Sequence, residues 1–458
     1  MKTRIEKDSM GEVIVPEDAL YGAQTQRAID NFKISGQKLP KPFIKGLLKV
    51  KLAAAKANSH LKLIDPEICD AITTAIQTIL EDEKIMDQFP VDIYQTGSGT
   101  STNMNANEVI ANLATKQSNL DISPNDHVNF GQSSNDVIPT SIHVSALIEI
   151  KEKLLPSLRH LSQTIEDKAV SVQQYVKTGR THLMDAMPIT LKQSLLSWND
   201  QVILNIKNIE DILPNLSILA QGGTAVGSGI NTHEDFAEIF AAKLSEDTST
   251  ELKPARNFFS LIGTQDTIVS LSGNLKTLAV SLMKISNDLR WMNSGPLSGL
   301  GEIELEALQP GSSIMPGKVN PVIPEALTMI SAEVIGNDSS ITIGGLSGNF
   351  ELNVMLPMIA NNILTSIKLL SNGSLLLADK AISTFKVNEI NLVNSLSRNP
   401  ILITALNPRI GYLKAAEIAK KAYKEQRPIV DVAEEETDIS REELLELLDP
   451  SKLTSGGL

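Results

Sequence analysis

Between residues 267 and 292 the apolar side chains fall at Ile268, Leu271, Leu275, Leu278, Leu282, Ile285, Leu289 and Met292, in alternating steps of three and four. A seam of that period, sustained over this length, specifies one long helix with a stripe laid against other helices. A second stripe runs through Leu195, Trp198, Val202, Ile206, Ile209, Leu213, Leu216 and Leu219, with Pro214 expected to kink it. A third follows Val144, Leu147, Leu154, Leu158, Leu161, Ile165 and Val172, with Pro156 inside it. Three such stripes in one region predict a bundle of long helices. Aromatic residues are only 4% of the chain, so its core must be built from Leu, Ile, Val, Ala and Met, which also favours packed helices. A seam this regular suits packing against a second subunit as well.

At 458 residues the chain exceeds the size at which one core keeps growing, so two or three domains are expected. Residues 1–134 read as a mixed, mostly helical domain with a helix over 42–61 and a small strand at Val13-Ile14-Val15. Residues 135–355 hold the long helices, and residues 356–458 form a small helical domain. In that last part 412–423 reads as helix, Ser440-Arg441-Glu442-Glu443 matches a capping box, and the acidic stretch 431–449 reads as a solvated face.

A net charge of -13 excludes a general nucleic-acid binder and requires a locally positive pocket for any anionic substrate. The single cysteine, Cys69, excludes an intrachain disulfide and the several thiolates of an iron–sulfur cluster. No HExxH, CxxC or EF-hand spacing implies a metal site. The N-terminal residues show no targeting signal and no run is long and apolar enough to span a bilayer, so a cytoplasmic protein is expected.

Four polar segments could carry chemistry: Gln95-Thr96-Gly97-Ser98-Gly99-Thr100 with Asn103 and Asn105 after it, Gln132-Ser133-Ser134-Asn135-Asp136, Gly179-Arg180-Thr181-His182, and Gly311-Ser312-Ser313-Ile314-Met315-Pro316-Gly317-Lys318-Val319-Asn320-Pro321. Their hydroxyls, amides and cations suit carboxylate oxygens. Each also has a plain structural reading, since Ser and Asn cap helices and make turns. Of the six histidines, His60, His143 and His160 sit in helical runs and are expected at the surface. His127 lies in a polar loop and His233 beside a turn, which leaves His182 as the best candidate acid/base. Two tempting patterns fail. Gly311 to Lys318 has five residues between its glycines and Val319 where a P-loop needs Ser or Thr. The glycine-rich run 222–229 follows a long helix, so it is a poor dinucleotide fingerprint.

Taken together, these segments resemble the class II, iron-free fumarases of the fumarase/aspartase superfamily. The resemblance runs from Glu6-Lys7-Asp8-Ser9-Met10-Gly11 through Tyr21-Gly22-Ala23-Gln24-Thr25-Gln26-Arg27 and the 345–354 segment to Gly411-Tyr412-Leu413-Lys414-Ala415-Ala416. It implies an all-α, three-domain fumarase/aspartase-like fold whose central long-helix bundle forms a tetramer core. It also implies active sites shared between three subunits, fumarate and L-malate as substrates in the tricarboxylic acid cycle, and no metal or organic cofactor. By resemblance Ser312 is the base at C3 of malate, its alkoxide stabilised by the Gly311 and Ser313 amides and by Lys318. His182, charged and held by Glu325, handles the water. Ser98, Gly99, Thr100, Ser133, Ser134, Asn135, Thr181, Ser313, Lys318, Val319 and Asn320 bind the substrate.

Three features cut across the pattern. Ser123-Pro124-Asn125-Asp126 stands where many fumarases place a second dicarboxylate site with histidine first, and Leu120 replaces a basic residue, which puts that site in question. Leu297 stands where the family usually has arginine. Asn320-Pro321-Val322-Ile323-Pro324-Glu325 is closer to the aspartase form, so an aspartate ammonia-lyase remains an alternative, as does a non-catalytic helical scaffold.

Overall fold

A computed structural model describes residues 2–455. The chain is 63% helical, and the strands among the described residues form four two-stranded sheets. Contacts group the chain into two compact units, Met1–Pro156 with Lys207–Ala279 and Ala332–Ser371, and Ser157–Ile206 with Val280–Ser331 and Asn372–Leu458. Four long helices, Leu191–Leu216, Asp266–Met292, Val322–Leu346 and Leu356–Leu377, have residues in both.

The heptad seam is a single helix, Asp266–Met292, and every seam residue is buried. Burying each such side chain is worth about 2 kcal/mol relative to leaving it in water. The second stripe is the Leu191–Leu216 helix. Pro214 falls in its last turn, where it ends the helix instead of bending its middle; Leu219 lies beyond, in a short strand paired with Lys253–Pro254. The third stripe is two α-helices, Ser134–Glu149 and Leu155–Ser171, joined by a π-helical turn at Ile150–Leu154. Pro156 sits in the first turn after that bulge, where it displaces no hydrogen bond of a regular helix interior.

In the first unit the helix Lys41–His60 is buried almost all round, with Phe43, Leu47, Leu48, Val50 and Ala53 to Ala55 inaccessible or nearly so. It packs on Ser134–Glu149 and on Phe236–Thr248. Gly46 permits the first contact, since a Cβ there would lie 3.0 Å from that of Ser145. The Val13-Ile14-Val15 strand is present and pairs with Thr3–Asp8. Behind it Glu108 accepts from the amides of Gly22, Gln24 and Thr25, fastening the start of the helix Ala23–Asn31. His143, expected at the surface, is instead buried. Its Nδ1 lies 2.9 Å from the Ile218 carbonyl, and burial pushes its pKa down to about 4, so the ring is neutral.

In the second unit the C-terminal helices close a small core of their own around Leu406, Ile418, Ile429, Val432 and Leu444. Ser440 caps the helix Arg441–Leu447 by accepting from the Glu443 amide, while the Glu443 carboxylate pairs with Arg409 instead of returning to the cap. The acidic stretch is a solvated face laced with cations: Glu436 meets Lys414 and Lys421, and Glu435 meets Arg427.

Candidate functional site

Two helix N-termini in the first unit carry the carboxylate-binding candidates. The helix Thr100–Ser118 begins at Gly99, whose φ of 73° is a left-handed conformation that glycine adopts without strain. Gly97, just before it, lies against Val354; a Cβ would come within 1.8 Å of that carbonyl oxygen. This turn brings the Ser98 and Thr100 hydroxyls to 2.8 Å. A Cβ at Gly99 would sit 2.9 Å from Ile138, so the turn packs directly on the second N-terminus. That one, the start of Ser134–Glu149, has a complete capping box. Ser133 Oγ accepts from the Asn135 amide, and Asp136 accepts from the Ser133 amide at 2.9 Å. Four hydroxyls, the Asn135 amide and two positive helix ends thus lie together, a constellation suited to an anion.

Asp136 does not spoil that potential, because its carboxylate is turned inward. Its second oxygen accepts from the amides of Gly222 and Thr224 at 3.0 and 2.9 Å, which is the use the fold makes of the glycine-rich 222–229 run. Burial pushes its pKa up to about 6 against these backbone donors. Asn135 Nδ2 reaches the Ala225 carbonyl of the same run at 2.8 Å.

The remaining principal candidates lie in the second unit, in two places. His182 and Leu183 are the turn of a hairpin between Val176–Thr181 and Met184–Thr190, with φ of 57° and 60°. Successive positive φ values match the right-handed twist of the strands. The turn, including Thr181, is exposed. Below it the strand is held by Glu302, which bonds Arg180 at 2.7 Å and faces Lys177 at 3.2 Å. Burial lowers the Lys177 pKa and Glu302 opposes the shift.

The Gly-Ser-Ser loop closes on itself through Gly311 N–H to the Lys318 carbonyl at 2.8 Å and Asn320 Nδ2 to the Gly311 carbonyl at 2.6 Å. Lys318 Nζ donates to Asn320 Oδ1 at 2.7 Å. Ser312 Oγ accepts from the amides of Ile314 and Met315 at 3.2 and 3.0 Å. The backbone donors on the serine oxygen are therefore these two, while the Gly311 amide is engaged elsewhere. Ser313 and Val319 are exposed on the loop. Lys318, Val319, Asn320 and Glu325 line a cavity of about 770 Å³ with Arg290, Trp291 and Asn293. Glu325 is in the first turn of Val322–Leu346. Among the described residues no hydrogen bond or ion pair joins it to His182 within one chain.

The segment Ser123-Pro124-Asn125-Asp126 forms the start of a π-helical turn, Pro124–Val128. Ser123 accepts from the Asp126 amide at 3.1 Å and donates to its carboxylate at 2.9 Å, and the Ser123 amide donates to His127 Nδ1. Its polar groups satisfy one another. Leu297 is almost fully exposed. Among the described residues no group of three or more His, Cys, Asp or Glu is placed to hold a metal ion.

Two residues behind the Ser133 N-terminus, Lys51 and Asn129, escaped the sequence reading. Lys51 is completely buried behind Gln132, and Asn129 links it to Asn103. Its signal was available: Lys51 lies on the same helical stripe as Leu47, Ala54 and Asn58, a lone cation on an apolar face.

The fold, with its long helices, is that of a lyase: the family model described as Lyase matches residues 11–336, and one described as Fumarase C C-terminus matches residues 402–455. Within that class the chain belongs to the class II fumarate hydratase family. It is 63% identical to "Fumarate hydratase class II 2" of Pseudomonas aeruginosa over 100% of this chain and 99% of that protein. Identity to a fumarate hydratase class II of Xylella fastidiosa is 55%, over 99% of this chain and 96% of the relative. The recombinant class II fumarase of Schistosoma mansoni, 35% identical, superposes with a TM-score of 0.96 over 99% of both chains.

Proposed function

We propose that this chain catalyses the reversible hydration of fumarate to L-malate. The observation that carries the reading is the full-length similarity to class II fumarate hydratases, at up to 63% identity. The geometry fits it. Ser98, Thr100, Ser133, Ser134 and Asn135, at two packed helix N-termini, offer a dicarboxylate neutral donors and no exposed carboxylate of their own. Such preorganised donors would also stabilise the extra charge that develops when C3 of malate loses its proton.

In this mechanism Ser312 takes that proton. The Ile314 and Met315 amides already point at its oxygen, which favours the alkoxide form. Lys318 and Asn320 bind a carboxylate beside it. His182, carried on an exposed hairpin turn, moves the proton of the water or departing hydroxide. Glu325 orients it from another subunit. Three subunits of a homotetramer contribute to each site. Exposed apolar side chains along the long helices, including Leu204, Val280, Met329, Ile343 and Leu346, support such an assembly. In functional terms the division is tripartite: carboxylate donors from 1–134 together with Asn135, long helices and reactive loop from 135–355, and a small helical part from 356–458. The 123–126 turn serves as a structural cap.

The test is ultraviolet absorbance of purified, chelator-treated protein with L-malate in one cuvette and L-aspartate in another. Fumarate absorbs and neither substrate does. A rise with malate alone is expected. A rise with aspartate alone would replace the reading by an ammonia-lyase, and silence in both by a scaffold.

A further inference from the structure

Lys51 is wholly inaccessible, and its amine bonds to no carboxylate. Its Nζ donates to Asn129 Oδ1 at 2.9 Å and to Gln132 Oε1 at 3.1 Å. Burying an amine with only amide oxygens as partners is costly, and burial lowers its pKa to about 7. A residue kept at that cost on a mostly apolar helix face calls for a use.

The use follows from which atoms can donate. A lysine nitrogen donates to both oxygens in either protonation state. It thereby fixes the orientation of two side-chain amides whose ends are otherwise interchangeable. With Asn129 Oδ1 turned to Lys51, the groups around that oxygen must be donors. They are Asn103 Nδ2 at 3.2 Å and Asn107 Nδ2 at 3.1 Å. The orientation of Asn103 is set in turn, and its same Nδ2 donates to Ser134 Oγ at 3.0 Å. Ser134 therefore receives a hydrogen bond from behind, and its own O–H is left to point outward. Gln132, held by Lys51 at Oε1, returns its Nε2 to the Val128 and Phe130 carbonyls, which pins the loop leading into Ser133.

We propose that Lys51 is a positioning residue for substrate binding: acting through Asn129 and Asn103, it fixes the Ser134 hydroxyl as a donor toward a substrate carboxylate. This rests on the placement of Ser134 in the fumarate site given above. Lys51 touches no substrate. Its contribution is the direction of a proton three side chains away. The chain of four residues lies within the first unit, and Lys51, Asn103 and Ser134 are all buried.

A double-mutant cycle on the whole enzyme tests it, with KM and kcat for L-malate measured separately. Ser134→Ala removes a hydrogen bond to a charged carboxylate and should raise KM about tenfold. Lys51→Met, similar in shape, should raise KM about fivefold with a smaller change in kcat, because Asn103 is freed to turn and Ser134 to point inward. In the Ser134→Ala background the same Lys51→Met change should alter KM by less than about 1.5-fold, since the hydroxyl it orients is gone. A purely structural lysine would give the same factor in both backgrounds, and that result overturns the proposal. So does a Lys51→Met enzyme with unchanged KM. If Ser134→Ala itself leaves KM unchanged, the placement of Ser134 in the site is wrong and the proposal falls with it, by a result separate from the first two. Should Lys51→Met fail to fold, Asn103→Ala, the link between the two, takes its place in the cycle with the same outcomes.

Discussion

The two N-termini at Gly99 and Ser133 and the loop around Ser312 hold candidate residues for one reaction, yet they are built in opposite ways. Around Ser133 and Ser134 the polar atoms are buried or half-buried, and the network behind them draws on four separate stretches of chain: Lys51, Asn103, Asn129 and the 222–225 run. Around Ser312 the bonds are local, within nine residues, and the side chains of Ile314, Met315 and Val319 stand in solvent. The contrast matches the two tasks. Recognition of a carboxylate depends on donors held in place before the substrate arrives. A serine proposed as the base must be reachable, and the local turn around Ser312 places two amides on its oxygen.

Changing each region in turn should separate the two tasks. The largest effect is expected at the loop: Ser312→Ala should lower kcat by about a thousandfold, the scale of a lost proton-transfer group, with an unchanged melting curve. Loss of stability in that variant would mean that the loop is part of the scaffold after all. The next largest is expected at Asp136. Asp136→Ala strands the amides of Ser133, Gly222 and Thr224 and should cost about 3 kcal/mol in urea unfolding, with KM raised as a consequence. A stable Asp136→Ala protein would show that the donor shelf does not depend on its buried carboxylate.

A third test uses pH. His143 has a folded pKa of about 4, below the unfolded value of 6.5. A depressed histidine favours its neutral form, so its contribution is complete above pH 6.5 and lost as pH falls through 4. The difference in unfolding free energy between the parent and His143→Gln should shrink by about 3 kcal/mol over that window. Taking the difference removes the opposing contribution of Asp136, whose raised pKa favours the folded state as pH falls. A flat difference would place His143 in water. The smallest effect is expected at Ser123→Ala, which should lose about 1 kcal/mol of stability as a cap and leave malate kinetics untouched. A changed response to high malate would revive the second dicarboxylate site.

The long helices were legible because their pattern is local. Each seam residue from Ile268 to Met292 announces itself by distance along the chain, and each is buried. The Ser133 N-terminus was legible for the same reason, as small polar residues ahead of an apolar run. The His182 hairpin was not. Its turn is His-Leu rather than the Asn-Gly or Asp-Gly that marks such turns, and Met184-Asp185-Ala186-Met187-Pro188 lacks clear alternation. His143 misled because a histidine among Ile142, Val144 and Ser145 carries no sign of the Ile218 carbonyl, 75 residues on, that receives it. Lys51 stood out of pattern on its helix, but its partners at 129 and 132 become visible only once the chain has folded back on itself.

Each compact unit is assembled from three separated stretches of sequence, and the first is complete only at Ser371. A ribosome must therefore have made most of the polypeptide before that unit can close, even though Lys51, Ser98 and Ser134 emerge early. The helix Lys41–His60 must wait with an apolar surface until its partner Phe236–Thr248 has been made. The early product exposes apolar surface of the kind chaperones bind, and cutting the gene anywhere between residues 157 and 371 would leave neither half with a complete unit.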